Sequence, residues 1–184
     1  GGGAEKVCLT TIRALMRGGY RVKLVTVERT DWSFLEARFG KLSRPSEETY
    51  FMTRMPIRGK SSQAFFTLLF FLPELVYYRI KCVDGVIVNT YGDLVDSVAD
   101  VSYINALPVR ILHKIPGCGV SYGAVWRAFA RVFDFFLKPL DRLFGGNVLL
   151  TNSVFMRDVV RRHLGRDSVV VFPPVEIDRI GYTL

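Results

Sequence analysis

The chain has 184 residues, 49% of them apolar and 23% charged, with a formal net charge of +8. That length holds one domain with a real core, and that balance excludes an intrinsically disordered chain. The basic excess points to polyanionic partners such as nucleic acid, anionic lipid or pyrophosphate-bearing substrates, while three scattered cysteines, Cys8, Cys82 and Cys118, exclude a disulfide framework and fit a reducing compartment.

The chain opens with Gly1-Gly2-Gly3-Ala4-Glu5-Lys6. This reads as a loop facing a phosphate: glycines let backbone N–H groups approach an anion, and a following helix adds partial positive charge. The spacing is that of neither a dinucleotide fingerprint nor a P-loop, and a plain tight turn or a tag remnant is the alternative. Opening on glycines rather than on a charged and then apolar segment, the chain is expected to carry no secretory signal there. Glu5–Arg17 has apolar residues at helical spacing, including Cys8, Ile12 and Leu15. Gly18-Gly19 ends that helix in a left-handed conformation, and Tyr20–Val27 reads as a buried strand. Loop, helix, glycine stop and Val-rich strand form the later part of a βαβ unit, whose first strand is expected before Gly1.

Asp31–Phe39 reads as a short helix or loop, Glu48–Thr53 as a strand and Pro56–Lys60 as a basic loop. Ser61–Cys82 reads as a long apolar helix kinked near Pro73. Asp84–Thr90 and Asp100–Asn105 read as strands, each carrying an Asn near its end. Ser121–Phe144 is a long aromatic helix, Asn147–Thr151 a strand, Ser153–Leu164 a helix capped by Asn152 or Ser153 and closed by Gly165, and Val169–Phe172 the last strand. The alternation predicts an α/β fold: a Rossmann-like, mostly parallel sheet with helices on both faces. No run reaches the roughly 18 apolar residues a spanning helix needs, so contact with a membrane is expected to be peripheral.

Polar residues at strand ends line the crevice of open parallel sheets. Asn89, Tyr91, Asp93, Asn105 and, slightly later, His113 are therefore candidates to hold sugar hydroxyls; the plainer reading is turn chemistry, with His113 structural. In the aromatic helix, Tyr122, Trp126, Phe129, Phe133, Phe136, Leu137, Leu140 and Phe144 form one stripe, flanked by Arg127, Arg131, Lys138 and Arg142. That is the geometry of a helix dipping into an anionic membrane face, or of an ordinary core helix with a solvated flank. The aromatics cluster rather than interleave with cations along a groove, which argues against nucleic acid. Residues 127–166 hold eight Lys and Arg against three Asp and Glu. Within them, Asn152 and Ser153 open a helix with Arg157 one turn in, where an anion could bind or a simple cap suffices.

Gly1-Gly2-Gly3-Ala4-Glu5-Lys6 followed by Gly18-Gly19-Tyr20 and Val22–Thr26 resembles the opening "GGGAE…AL…GH.V.LVT" of glycosyltransferase family 4. Thr151-Asn152-Ser153, Phe155 and the run Val169–Phe172, Pro173-Pro174-Val175-Glu176 resemble that family's "NS.F….VVYPPVD" segment. The likeness is greatest to its lipid-linked-oligosaccharide mannosyltransferases: Tyr103-Ile104-Asn105-Ala106-Leu107-Pro108 stands where that group has Tyr-Val/Ile-His-Tyr-Pro, with Asn105 in place of the His.

The resemblance implies one half of the two-domain GT-B fold. Residues 1–178 would be the N-terminal acceptor-binding domain, 179–184 the start of an inter-domain linker, and the donor-binding domain would lie outside this chain. It implies retaining transfer from a nucleotide-sugar, a substrate rather than a cofactor, with no bound metal. Gly1, Gly2, Gly3 and Glu5 would face the donor diphosphate. His113 and Asn105 would be catalytic; Asn89, Tyr91, Asn105, Asn152 and Ser153 would hold a lipid-linked glycan; Trp126, Arg127, Arg131 and Lys138 would meet lipid phosphates. The protein would be cytoplasmic, peripheral on the cytosolic face of a membrane. Two rivals stand beside this: a non-catalytic α/β module that docks to a membrane or a partner protein through its basic aromatic helix, and a nucleotide-binding regulator that uses the glycine loop.

Overall fold

Helix α1 runs Gly3–Arg17 and buries Val7, Leu9 and Ile12 along one side. It ends at Gly19, whose φ of 83° only glycine adopts without strain, and the Tyr20 N–H closes the turn on the Leu15 carbonyl at 3.1 Å. Strand β1 (Lys23–Glu28), helix α2 (Trp32–Phe39) and strand β2 (Glu47–Met52) follow. Asp31 caps α2 by accepting the Phe34 N–H at 2.9 Å, which settles that segment as a helix. β1 and β2 pair in parallel from Lys23 opposite Glu47 to Glu28 opposite Met52. The computed structural model describes residues 3–53, 60–81, 84–115 and 119–175, with side chains for all of these except 60–69 and 119–123. Gly1, Gly2, most of the expected basic loop Pro56–Lys60, and Cys82 and Cys118 lie outside the described residues.

Helix α3 (Lys60–Lys81) is continuous through Pro73. Strand β3 is only Val88–Asn89, β4 is Val101–Ile104, and a 3-10 helix follows at Val109–Lys114. Helix α4 (Gly119–Phe144), strand β5 (Val148–Thr151), helix α5 (Val154–Leu164) and strand β6 (Val169–Val170) complete the order. The molecule is therefore α/β, and every strand pair among the described residues is parallel. Among the described residues the strands form two sheets where one was expected: β1-β2, and β3-β4-β5-β6 in chain order.

Two expected strands are shorter than their Val-rich runs. The end of β3 has a local cause: the Asn89 side chain accepts the Tyr91 N–H at 2.9 Å and donates to the Val95 carbonyl at 2.7 Å, curling the chain off the ladder. β6 likewise stops at Val170, short of Phe172.

Residues 91–100 form a loop with an unusual setting, since Val95, Asp96, Ser97, Val98 and Ala99 are all buried. A buried loop must satisfy its backbone. Asn89 serves the Val95 carbonyl, the Asn147 amide serves the Asp96 carbonyl at 2.8 Å, and the Val109 N–H serves Asp93 at 2.8 Å. Val98 sits at φ 77°, a left-handed conformation that strains a β-branched residue and is held here by complete enclosure. Against this loop lie Leu75 of α3, Val109, and Phe133 and Leu137 of α4, which make up the larger apolar core. A second core joins Ile104 of β4, Leu149 of β5 and Met156 and Val160 of α5.

Candidate functional site

Because β3, β4 and β5 are parallel, their C-terminal ends share one edge. Asn89, Asn105 and Asn152 stand at those ends, and they are linked. The Asn152 amide donates to the Asn105 carbonyl at 2.6 Å, and the Asn105 amide donates to the Thr90 carbonyl at 2.7 Å. Asn89 holds its own turn. The three side chains thus carry the hydrogen bonding of the sheet one step past its last ladder bonds. Ser153 is engaged as well: its oxygen accepts the Met156 N–H at 3.2 Å and caps α5, while its hydroxyl donates to Asn152 at 3.0 Å.

Beside this edge stand the first turns of α1. Gly3 and Glu5 are helical there rather than part of a loop, because the helix begins at Gly3. The first N–H groups of a helix lack internal partners and carry partial positive charge. The Cys8 thiol meets Thr90 just beyond β3, and burial pushes its pKa up. Tyr91 is raised by burial first and then by the negative charges of Glu5, Cys8 and Asp93, so its phenol stays protonated.

Asp93 is held by its own N–H and by the backbone and side chain of Asn105, yet burial outweighs these bonds and raises its carboxyl. Its Oδ1 is buried without a hydrogen-bond partner. Gly92 brings the backbone against β4, donating to the Tyr103 carbonyl at 2.8 Å. The edge therefore gathers a helix start, a neutral phenol, a buried carboxyl with a spare oxygen, and amides that each already donate to a main-chain carbonyl.

His113 belongs to other surroundings. It lies on the 3-10 helix; burial lowers its pKa, Asp134 of α4 opposes that shift, and Lys114 and Arg131 add to it. Its Nδ1 is buried without a partner. The groups that act on Tyr91 and Asp93 are Glu5, Cys8 and Asn105, so His113 and Asn105 are not brought into one electrostatic cluster.

Nearby, Arg110 is only 5% exposed. Its Nε donates to Asp134 at 2.9 Å, Nη1 to Asp96 at 3.2 Å, and Nη2 to Asp141 at 2.6 Å. Lys114 and Lys138 approach Asp134 at 3.5 and 3.6 Å. This network fastens the buried loop to the 3-10 helix and α4. The sequence's only signal for it was two aspartates, Asp134 and Asp141, about two helical turns apart in an aromatic helix.

The aromatic stripe of α4 faces inward. Trp126, Phe129, Phe133, Leu137, Leu140 and Phe144 all contribute to the larger core. Trp126 is therefore a core contact rather than a membrane one, and Phe136 leaves the stripe for solvent. Arg127, Arg131 and Lys138 are exposed, as expected of a flank. Tyr122 falls among the residues whose side chains are not described.

A depression of about 50 Å³ lies between α1 and residues 39–43, lined by Lys6, Arg13 and Lys41 among others. It is too small for a nucleotide, since ligand pockets run to hundreds of Å³. Among the described residues, no group of His, Cys, Asp or Glu is arranged to hold a metal ion, and no helix is long and apolar enough to cross a membrane. Compared with protein-family models, curated proteins and solved structures, the chain has no match.

Proposed function

We propose that this chain is the acceptor-binding half of a retaining GT-B glycosyltransferase of the family 4 kind. It moves a sugar, mannose in the closest reading, from a nucleotide-sugar to a lipid-linked glycan. The protein works peripherally at the cytosolic face of a membrane. In this reading β1-β2 and β3-β6 are parts of one sheet, with a strand preceding Gly1 lying between β1 and β3.

The observation that carries the proposal is the start of α1 beside Tyr91, Asp93 and Asn105, at the edge where the strand C-termini meet. In transfer, the acceptor hydroxyl forms a bond to the anomeric carbon as the bond to the diphosphate oxygen breaks, and the hydroxyl's proton passes to that departing oxygen. The partial positive charge at the start of α1 stabilises charge on the departing diphosphate. Asp93, with its spare oxygen, and Tyr91, as a protonated donor, orient the acceptor. His113 is the less favoured candidate because its partners lie on α4. Phe155 and Phe172, just past the ends of β5 and β6, are strongly exposed, as a surface that a second domain closes upon would be.

The test is an amide NMR titration of the chain with a nucleoside diphosphate. Shifts are expected at Gly3–Lys6, Tyr91–Asp93 and Asn105. Shifts confined to α4 or α5, or none at all, would count against the reading. The second reading, a non-catalytic docking module, is favoured by one observation: the solvent-facing side of α4 is apolar.

A further inference from the structure

Helix α4 has two apolar faces, and only one is used by the core. On the other, Val125, Val132, Phe135, Phe136 and Leu143 stand in solvent, with Phe135 at 69%, Phe136 at 61% and Leu143 at 74% exposure. Ala128 and Pro139 are exposed among them. At 3.6 residues per turn these positions fall within an arc of about 100° that runs for about 27 Å along the helix. Monomeric proteins rarely leave so continuous an apolar strip uncovered.

The borders of this strip differ. Toward one side lies the core-facing arc of Trp126, Phe129 and Phe133. Along the other run Arg127, Arg131, Lys138 and Arg142, all exposed. Lys138 leans toward Asp134 at 3.6 Å. Arg127, Arg131 and Arg142 have no carboxylate partner at ion-pair distance among the described residues. An exposed apolar band with cations along its edge matches a surface that offers hydrocarbon beneath negative charge.

We infer that this outer face of α4 docks in the plane of an anionic lipid surface, with Phe135, Phe136, Val132 and Leu143 entering the acyl boundary and Arg127, Arg131 and Arg142 meeting the headgroup phosphates. The inference deepens the membrane-peripheral part of the proposed function and rests on it there, but it uses nothing from the sheet edge, so the two are tested apart. It also differs from the face that the sequence stripe selects, because Trp126 and Phe133 are turned into the core.

The experiment is co-sedimentation of the whole chain with vesicles of phosphatidylcholine alone and of an equal mixture with phosphatidylglycerol, at low and high salt. The unmodified chain is expected on the mixed vesicles and to be released by salt. Arg127→Gln/Arg131→Gln should bind mixed vesicles about thirtyfold more weakly, at roughly 1 kcal/mol for each basic residue near the surface, and neutral vesicles unchanged. Phe135→Ser/Phe136→Ser should lose at least about tenfold on both, since apolar entry is shared. Thermal melting checks that both variants fold, and Leu143→Ser serves as a milder second probe of the band. Equal binding to both vesicle types, or binding that neither double variant changes, overturns the inference. So does a chain that ignores vesicles and instead dimerises through this face in velocity sedimentation, with dimerisation abolished by Phe135→Ser/Phe136→Ser. A nucleoside diphosphate titration that fails while vesicle binding succeeds rejects the transferase reading alone.

Discussion

Arg110 is enclosed with three carboxylates around one guanidinium, and its planar fork can serve all of them at once. Taking one partner from a buried ionic network leaves charge without compensation, so Arg110→Met should destabilise the fold by about 3–5 kcal/mol in chemical denaturation. Arg110→Lys keeps the charge but loses the fork, and it should fall between the two. Asp134 gives a pH signature. Burial alone would raise its pKa, but the bond from Arg110 and the charges of Arg110, Lys114 and Lys138 hold it below the ordinary aspartate value. A depressed carboxyl stabilises fully above its unfolded pKa and loses that contribution as pH falls through the folded one. The stability gap between the native chain and Asp134→Asn should therefore narrow from neutral pH into acid, and a gap independent of pH would refute this. Asp96 shifts upward, because burial prevails over Arg110, so its own contribution runs the other way. None of this network could be read from the sequence, since a buried aspartate on an aromatic helix is legible only once Arg110 stands beside it.

At the scale of elements, local chemistry was readable where one residue decides the geometry. Ser153 and Gly165 bracket α5 as the sequence indicates, the second at φ 67° with its N–H on the Arg161 carbonyl at 3.1 Å. Ser153→Ala should cost about 1 kcal/mol in thermal unfolding. Gly92 was not singled out, although its constraint is tighter: a methyl there would lie 2.8 Å from the Tyr103 carbonyl oxygen. That atom is backbone and cannot swing away, so Gly92→Ala should destabilise by about 1–3 kcal/mol. Of the two readings of the α4 stripe, the core helix with a solvated flank is the one the structure takes, and the sequence left the choice open. Aromatic residues occur at helical steps on both of its sides, so periodicity alone does not choose the one that the core takes. The 3-10 helix at Val109–Lys114 escaped notice because so short an element has no repeat to display. β3 ends within one residue of the expected place, where the Asn89 side chain curls the chain away, and what escaped is its start, at Val88 rather than Asp84.

Across the whole molecule, alternating helices and Val-rich segments were enough to show an α/β chain with parallel strands, since parallel pairs need crossovers and helices supply them between β1 and β2, β4 and β5, and β5 and β6, while β3 reaches β4 through the buried loop. Which strands are neighbours was not legible. Among the described residues β1 pairs only with β2 and β3 only with β4, while α3 touches β1 and also packs on the core beside Ile87. Under the transferase reading, a short Val-rich strand fused upstream of Gly1 should raise the melting temperature and slow amide exchange in both β1 and β3. A proline-interrupted version of the same extension should do neither. The same reading holds that the chain turns over no nucleotide-sugar by itself, which a radiolabelled transfer assay would check.

The asparagine links at the strand ends carry a liability for an ageing protein. Each acts through its NH2 group, and Asn105 and Asn152 give theirs to main-chain oxygens. Slow deamidation would replace a proton donor with a carboxylate pointed at a carbonyl, turning attraction into repulsion. Stored material that gains the mass shift of deamidation at Asn105 or Asn152 should melt earlier, and the rim beside Tyr91 and Asp93 should fray before either core does.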